Sequence, residues 1–111
     1  MSDLKTKHCQ ACEGFSEPMP REDAERSIGQ LDAGWGIDES GRGIQRNFKF
    51  KNFHETMAFV NAVAWIAHGE DHHPDMAVGY NHCSVQFSTH AVGGLTENDF
   101  ICAARIDALF D

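Results

Sequence analysis

Alternation of apolar and polar residues predicts four β-strands along the chain. The clearest strand is 44–50, where Ile44, Phe48 and Phe50 share one face and polar Gln45 and Asn47 share the other. Because successive side chains of a strand point to opposite sides, a period of two indicates a strand with one buried face. The other three strands are predicted over 35–38, 76–80 and 84–89, and a glycine-containing turn joins the first two.

Three helices are predicted between and around these strands. The first opens at Pro20, which suits a first helical turn, and the last is capped by Thr96 and covers about 100–110. The longest runs over about 52–68, and Gly69 is expected to end it. Its apolar side is predicted to contain Phe53, Met57, Val60, Ala64 and Ile66 or Ala67, widened by Phe59, Val63 and Trp65.

The order helix, two strands, helix, two strands, helix predicts an α+β domain. We expect a four-stranded antiparallel sheet with helices packed on one face, built by residues 20–111. Residues 1–19 are interpreted as a polar N-terminal arm that precedes this domain. The uncovered sheet face and the open sheet edges favour a homodimer or homotetramer.

Composition narrows the possible environments and partners. The 111 residues suit one domain, and their formal net charge of −8 argues against direct binding of nucleic acid. No apolar stretch is long enough to span a membrane, and the polar N-terminus resembles no secretory signal. We therefore expect a cytoplasmic protein whose four cysteines are thiols.

Histidines are the main candidates for chemistry. Five of them, at 68, 72, 73, 82 and 90, lie within 23 residues. His72 and His73 follow the longest helix and His90 follows a strand, so folding could bring the three into one pocket. Histidine both donates and accepts protons near neutral pH, and Asp71 and Asp99 could orient the rings. Such a group suits general acid–base catalysis.

The run from His68 to Pro74, His-Gly-Glu-Asp-His-His-Pro, resembles the signature of the pterin-4a-carbinolamine dehydratases. In that signature an aromatic residue follows, then a histidine and an aspartate, and the matching residues here are Tyr80, His90 and Asp99. The Gly-Trp pair ending at Trp35 and the aromatic-rich segment 48–53 also match, so the resemblance covers about 31–107.

The resemblance implies the dehydration of 4a-hydroxytetrahydropterin to quinonoid dihydropterin and water, without a metal or organic cofactor. This step recycles the pterin used by an aromatic amino-acid hydroxylase, which implies a functional link to such an enzyme. His72, His73 and His90 are expected to be catalytic, with His72 and His90 transferring protons and His73 mainly binding. The expected supporting and substrate-binding residues are Trp35, His68, Asp71, Ser88, Thr89 and Asp99.

Two departures from the family pattern change the surroundings of these histidines. His68 stands where relatives often carry an acid, which alters the local charge and could alter the pH profile. Met76 stands where many relatives carry tryptophan, which could loosen the packing. Neither departure removes a proposed catalytic group.

Three rival interpretations remain open. His68 and His72, four residues apart, would share one face of a continuous helix and could bind a catalytic zinc. Cys9 and Cys12, beside His8, could bind metal with ligands from another subunit, although two thiols on a flexible tail are the simpler interpretation. The domain could also be a non-enzymatic dimerisation or assembly factor, since one relative in animals stabilises a transcription-factor dimer.

Overall fold

The computed structural model describes residues 4–11 and 14–111. Its main elements are α1 (Arg21–Ile28), β1 (Gly36–Ile37), β2 (Ile44–Lys49), α2 (Phe53–Glu70), β3 (Asp75–Val78), β4 (His82–Phe87) and α3 (Glu97–Asp107). This order confirms the predicted α+β fold with a four-stranded antiparallel sheet. Single turns of 3-10 helix lie at Leu4–Thr6, His90–Val92 and Ala108–Phe110.

The strands lie in the spatial order β1-β2-β4-β3, and every neighbouring pair is antiparallel. The long central pair places Ile44 opposite Phe87 and Phe48 opposite Cys83. All four of these side chains are buried, as the period of two predicts. The opposite face stays polar, and there Ser84 donates a hydrogen bond to Asn47 across the pair, at 2.7 Å.

Helices α2 and α3 cover the apolar face of the sheet. The Phe59 ring of α2 packs 4.5 Å from that of Phe48 and 5.0 Å from that of Phe50. Helix α3 contributes eight buried residues, among them Phe100 and Ile106, because most of its circumference lies inside the molecule. Burial of these rings and branched chains is the main stabilising term for a domain of this size.

The apolar side of α2 differs from the prediction. Its fully buried side chains are Thr56, Phe59 and Val63. Phe53 and Ala64 are exposed, and Trp65 keeps 75% of its surface accessible. The helix carries two apolar stripes, and the periodicity of the sequence does not show which one faces the sheet.

The end of α2 also differs from the prediction. Gly69 lies inside the helix, which continues to Glu70, and Asp71 is the residue that adopts the left-handed conformation (φ 53°, ψ 43°). Aspartate tolerates this conformation better than most residues with a side chain. The backbone N–H groups of Asp71 and His72 both donate to the carbonyl of Ala67, which closes the last turn.

The N-terminal segment 4–11 packs against α3 rather than extending into solvent. Leu4 is buried in the core, and Asn98 exchanges two hydrogen bonds with the backbone of Gln10, at 3.1 and 2.7 Å. The interpretation of Cys9 as a thiol on a flexible tail is therefore wrong, and Cys12 lies outside the described residues. In the part of the chain that the structure describes, no helix is both long and apolar enough to cross a lipid bilayer.

Candidate active site

Two of the three candidate histidines, His72 and His73, follow directly after the end of α2. After the left-handed residue Asp71 the chain becomes extended, and His72 and His73 point in different directions before Pro74. His72 is 7% exposed, whereas His73 is exposed and bonds through Nδ1 to the Pro74 carbonyl at 3.2 Å. Because a carbonyl only accepts, this contact places the proton on Nδ1 of His73 and leaves Nε2 as an acceptor.

His72 is held by a buried carboxylate. Its Nε2 lies 2.6 Å from Oδ1 of Asp99, which is completely buried in the first turn of α3. The second oxygen of Asp99 accepts from the Thr89 hydroxyl and from the backbone N–H of Thr96, both at 2.9 Å. A carboxylate with three donors is an acceptor, so Nε2 of His72 carries a proton and Nδ1 is left for proton exchange.

Phe87 of β4 stacks on the His72 ring, with centroids 5.8 Å apart and planes inclined by 13°. The ring of His72 is therefore fixed on one side by Phe87 and at its Nε2 end by Asp99. The alternation along β4 places Phe87 in the core, but the sequence carried no signal that its neighbour would be a site histidine. The family signature singled out Asp99 but did not show that it is fully buried.

His90 is positioned by a closed turn after β4. Thr89 and Gly94 exchange backbone hydrogen bonds at 2.8 and 3.4 Å, and the 3-10 turn that starts at His90 lies between them. Gly93 has φ 67°, a conformation that glycine adopts without strain, so this residue allows the turn to close. The His90 side chain is exposed beside the start of the turn.

The three histidines line one cleft. Its volume is about 220 Å³, and its walls are formed by Asp71, His72, His73, Ser88, His90 and Ala91. A second hollow of similar volume adjoins it, shares Ser88 and His90, and is bounded by Arg42, Thr89, Gly93 and Gly94. Larger hollows lie against the polar sheet face and near the C-terminus, but neither contains a histidine.

Four of the predicted site residues do not line this cleft. Thr89 lines only the second hollow, Asp99 is buried and bonds to His72, and Trp35 and His68 line neither hollow. Trp35 is buried between Phe48 and Phe87, and its indole N–H donates to Asp107 at 2.8 Å. His68 is exposed on α2, where its ring lies 5.7 Å from that of Trp65. Neither Trp35 nor His68 is a lining residue. Arg42 and Ala91 line the paired hollows, although no motif in the sequence singled them out.

The zinc interpretation required His68 and His72 to share one helix face. The left-handed residue Asp71 separates His72 from the helix, and His72 turns inward to Asp99 while His68 faces outward. Within residues 4–11 and 14–111, no group of three or more histidine, cysteine or carboxylate side chains is arranged as metal ligands.

Comparisons with known proteins identify the family of the chain. The model of the family described as pterin 4 alpha carbinolamine dehydratase matches residues 17–109. The chain belongs to this family. It is 57% identical over 110 residues to a protein of Nitrosospira multiformis provisionally named pterin-4-alpha-carbinolamine dehydratase. This alignment covers 99% of this chain and 95% of that protein. A Legionella pneumophila protein with the same provisional name is 57% identical over 108 residues, covering 97% and 96%.

Two solved structures share the dehydratase fold. The transcriptional coactivator/pterin dehydratase of Brucella melitensis superposes with a TM-score of 0.79 and 31% identity over 84% of this chain and 98% of that one. A pterin dehydratase-like protein identified as a RuBisCO assembly factor superposes with a TM-score of 0.61 and 23% identity, covering 70% of this chain and 90% of its own. At that identity the second likeness concerns the fold alone.

Proposed function

We propose that this protein dehydrates 4a-hydroxytetrahydropterins to quinonoid dihydropterin and water by histidine acid–base catalysis. Membership of the dehydratase family supports the reaction class. The observation that carries the proposal for this chain is the convergence of His72, His73 and His90 on one cleft, with a buried carboxylate behind His72.

The reaction needs one proton donor and one proton acceptor. Loss of water from the substrate removes the hydroxyl at C4a and a proton from ring nitrogen N5. In the proposed mechanism Nδ1 of His72 takes the N5 proton, because Nε2 is already committed to Asp99. His90 donates the proton that lets the hydroxyl leave as water, and both rings return to their starting forms by exchange with solvent.

Asp99 stabilises the imidazolium that forms on His72 and holds its tautomer. The carboxylate is fully buried and gathers three donors, so its position is fixed before substrate arrives. A fixed charge in a dry environment needs no rearrangement during the reaction, which is the usual advantage of a preorganised site.

We assign pterin binding to the more exposed residues that line the cleft. Nε2 of His73 is free to accept from a pterin N–H, because its Nδ1 is held at Pro74. Ser88 lines both hollows and can contact the ring or its side chain. Trp35, His68 and Thr89 are proposed to act indirectly, and only Thr89 bonds to a residue that contacts a site histidine.

The proposal is tested by the rate of dehydration of freshly generated 4a-hydroxytetrahydropterin with the native protein and with single histidine variants. We expect His90→Gln to lower kcat by about 10²–10⁴-fold, because it removes a positioned acid. His73→Gln should raise KM with a smaller change in kcat, because it removes a binding contact.

The matched control is His82→Gln. His82 is an exposed histidine on β4 outside the cleft. Its ring lies against Gly79, and among the described residues its one side-chain polar contact is a long one, to Asn81 at 3.5 Å. Native-like rates are expected for this variant. If the native protein did not accelerate dehydration, the alternative of a non-enzymatic dimerisation or assembly factor would be favoured instead.

We further propose that the protein works as a homo-oligomer and serves an aromatic amino-acid hydroxylase. The exposed apolar side chains of α2, Phe53 at 48% and Trp65 at 75% exposure, are suited to packing against a second copy. Sedimentation of the native chain and of Trp65→Glu tests this part. The variant is expected to dissociate, and unchanged sedimentation would place the contact elsewhere.

A further inference from the structure

We propose that Cys9 and Cys102 form an oxidisable dithiol, a modification site at which a peroxide closes a disulfide between the N-terminal segment and α3. The site lies outside the proposed pterin cleft, and the proposal does not depend on the dehydratase activity.

The two sulfur atoms are already in contact. Sγ of Cys9 lies 3.6 Å from Sγ of Cys102, although 93 positions separate the two residues in sequence. Each thiol also has a carbonyl acceptor of its own: Cys9 can donate to Asn98 at 3.6 Å and Cys102 to His72 at 3.8 Å. A disulfide requires the sulfurs to approach by about 1.5 Å, a movement within the reach of side-chain rotation.

The backbone on either side of Cys9 is fixed, so the contact does not depend on a loose tail. The Cys9 N–H donates to Oε1 of Glu70 at 2.7 Å, and the next residue, Gln10, is paired with Asn98. Two residues earlier, the carbonyl of Lys7 accepts from the Arg105 guanidinium at 3.0 Å.

Glu70 anchors this segment as a charged acceptor. Burial raises the pKa of the Glu70 carboxyl, but hydrogen bonds from the Cys9 backbone and His8, together with the Arg105 charge, outweigh it and hold the pKa below 4.5. The carboxylate is therefore ionised at neutral pH and keeps its donors. The segment that carries Cys9 is thus attached to both α2 and α3.

The two thiols have different access to solvent, which sets the order of reaction. Cys9 is half-buried, whereas Cys102 is completely buried. The hydrogen bond with Cys9 and the burial both raise the pKa of the Cys102 thiol, so it stays protonated. A peroxide therefore meets Cys9 first, and Cys102 is placed to react with the product.

The chemistry balances in two steps. Cys9 attacks hydrogen peroxide, the O–O bond breaks, and the thiol becomes a sulfenic acid with release of one water. The Cys102 sulfur then attacks Sγ of the sulfenic acid, its proton leaves with the hydroxyl as a second water, and the disulfide forms. The peroxide gains two electrons and the dithiol loses two.

The disulfide would form close to the buried side of His72, which lines the cleft. Cys102 is one turn along α3 from Asp99, and its thiol points at the carbonyl of His72. Oxidation removes that donor and ties the segment 4–11 to the helix that holds the His72 partner. The expected readouts are resistance of the segment to proteolysis and a shift of the His72 carbonyl resonance.

The test is mass spectrometry of the non-reduced digest after treatment of the folded full chain with a few equivalents of hydrogen peroxide. We expect a peptide pair joined through Cys9 and Cys102, formed equally in the Cys12→Ser variant. In Cys12→Ser the urea midpoint should rise after oxidation and return when dithiothreitol is added. Cys83→Ser serves as control, because Cys83 is buried on β4 with no thiol partner among the described residues.

A link from Cys9 to Cys12 in the native chain, with Cys102 still free, would overturn the proposal. So would oxidation of Cys9 to sulfinic acid in Cys12→Ser while Cys102 remains a thiol. Because both readouts are independent of turnover, an inactive protein would not affect the result.

Discussion

The buried carboxylate behind His72 offers the sharpest test of how the site is organised. Asp99→Asn keeps the shape of the side chain and removes its charge. Asp99 accepts three hydrogen bonds, from His72, Thr89 and Thr96, whereas an asparagine side chain offers one oxygen and one donating amide. One of the existing donors must therefore face an N–H group.

The hydrogen-bond partners of Asp99 decide which orientation of the asparagine amide loses the fewest hydrogen bonds. Thr96 bonds through its backbone N–H, which cannot become an acceptor, so the asparagine oxygen is expected to stay on the Thr89 and Thr96 side. The asparagine amide then faces His72, whose ring can respond by moving its proton from Nε2 to Nδ1. In this tautomer Nδ1 can no longer take a proton from substrate.

The magnitude comes from exchanging charged for neutral hydrogen bonds. A bond to a charged group contributes about 1.5–3 kcal/mol against about 0.5–1.5 kcal/mol for a neutral one, and three bonds are affected. We expect a loss of about 2–4 kcal/mol in the free energy of unfolding. The expected fall in kcat is about 10²–10⁴-fold, the range for losing one positioned acid–base group.

The assays are urea unfolding, dehydration kinetics and nitrogen NMR of the His72 ring. Glu97→Gln is the matched control, because it removes an exposed carboxylate from the same turn of α3, whose ion pair within the described residues is with Lys7 at 3.0 Å. The control should change stability by about 1 kcal/mol or less and leave the rate unchanged. Native kcat and a native His72 tautomer in Asp99→Asn would refute the assigned role of the carboxylate.

Three further predictions concern neighbouring parts of the molecule. Phe87→Ala should lower the free energy of unfolding by about 3–5 kcal/mol, measured in urea, and reduce kcat because the His72 ring loses its stacked neighbour; native kcat would contradict the positioning role. Trp35→Phe should cost about 1 kcal/mol through the lost bond to Asp107 and leave KM unchanged, so a raised KM would show that the indole contacts substrate. Glu70 contributes stability above pH 4.5 that is lost as the pH falls through its lowered pKa. The urea midpoint of Glu70→Gln should therefore vary less between about pH 5 and pH 3 than the native midpoint does. If the two midpoints changed in parallel with pH, this contribution of Glu70 would be excluded.

Much of the fold follows from local patterns. The alternation over 44–50 identified β2 and its buried face, and Thr96 with its acidic followers identified the start of α3. These features depend on residues close in sequence, so periodicity and capping chemistry suffice to predict them. The spacing of His72, His73 and His90 likewise selected the residues that now line one cleft.

The predictions that were wrong concern local structures that depend on residues distant in sequence. Glycine ends helices more often than aspartate, so Gly69 was the expected terminator of α2. The chain must become extended after residue 71, and the left-handed residue that ends the helix is therefore Asp71. The choice between the two apolar stripes of α2 depends on where the sheet lies. The attachment of Cys9 depends on Glu70 and Asn98, which are 61 and 89 positions away in sequence and give no local signal.

Catalysis by the exposed histidines is tested by the dehydration rate of freshly generated 4a-hydroxytetrahydropterin, with EDTA present, for the native protein and for the double variant His73→Ala, His90→Ala. Both substituted residues are exposed at the cleft, so the variant is expected to fold. We expect the native protein to accelerate dehydration and the double variant to leave the uncatalysed rate unchanged. A native protein without effect on the rate, or a double variant as fast as the native protein, would rule out catalysis by these histidines.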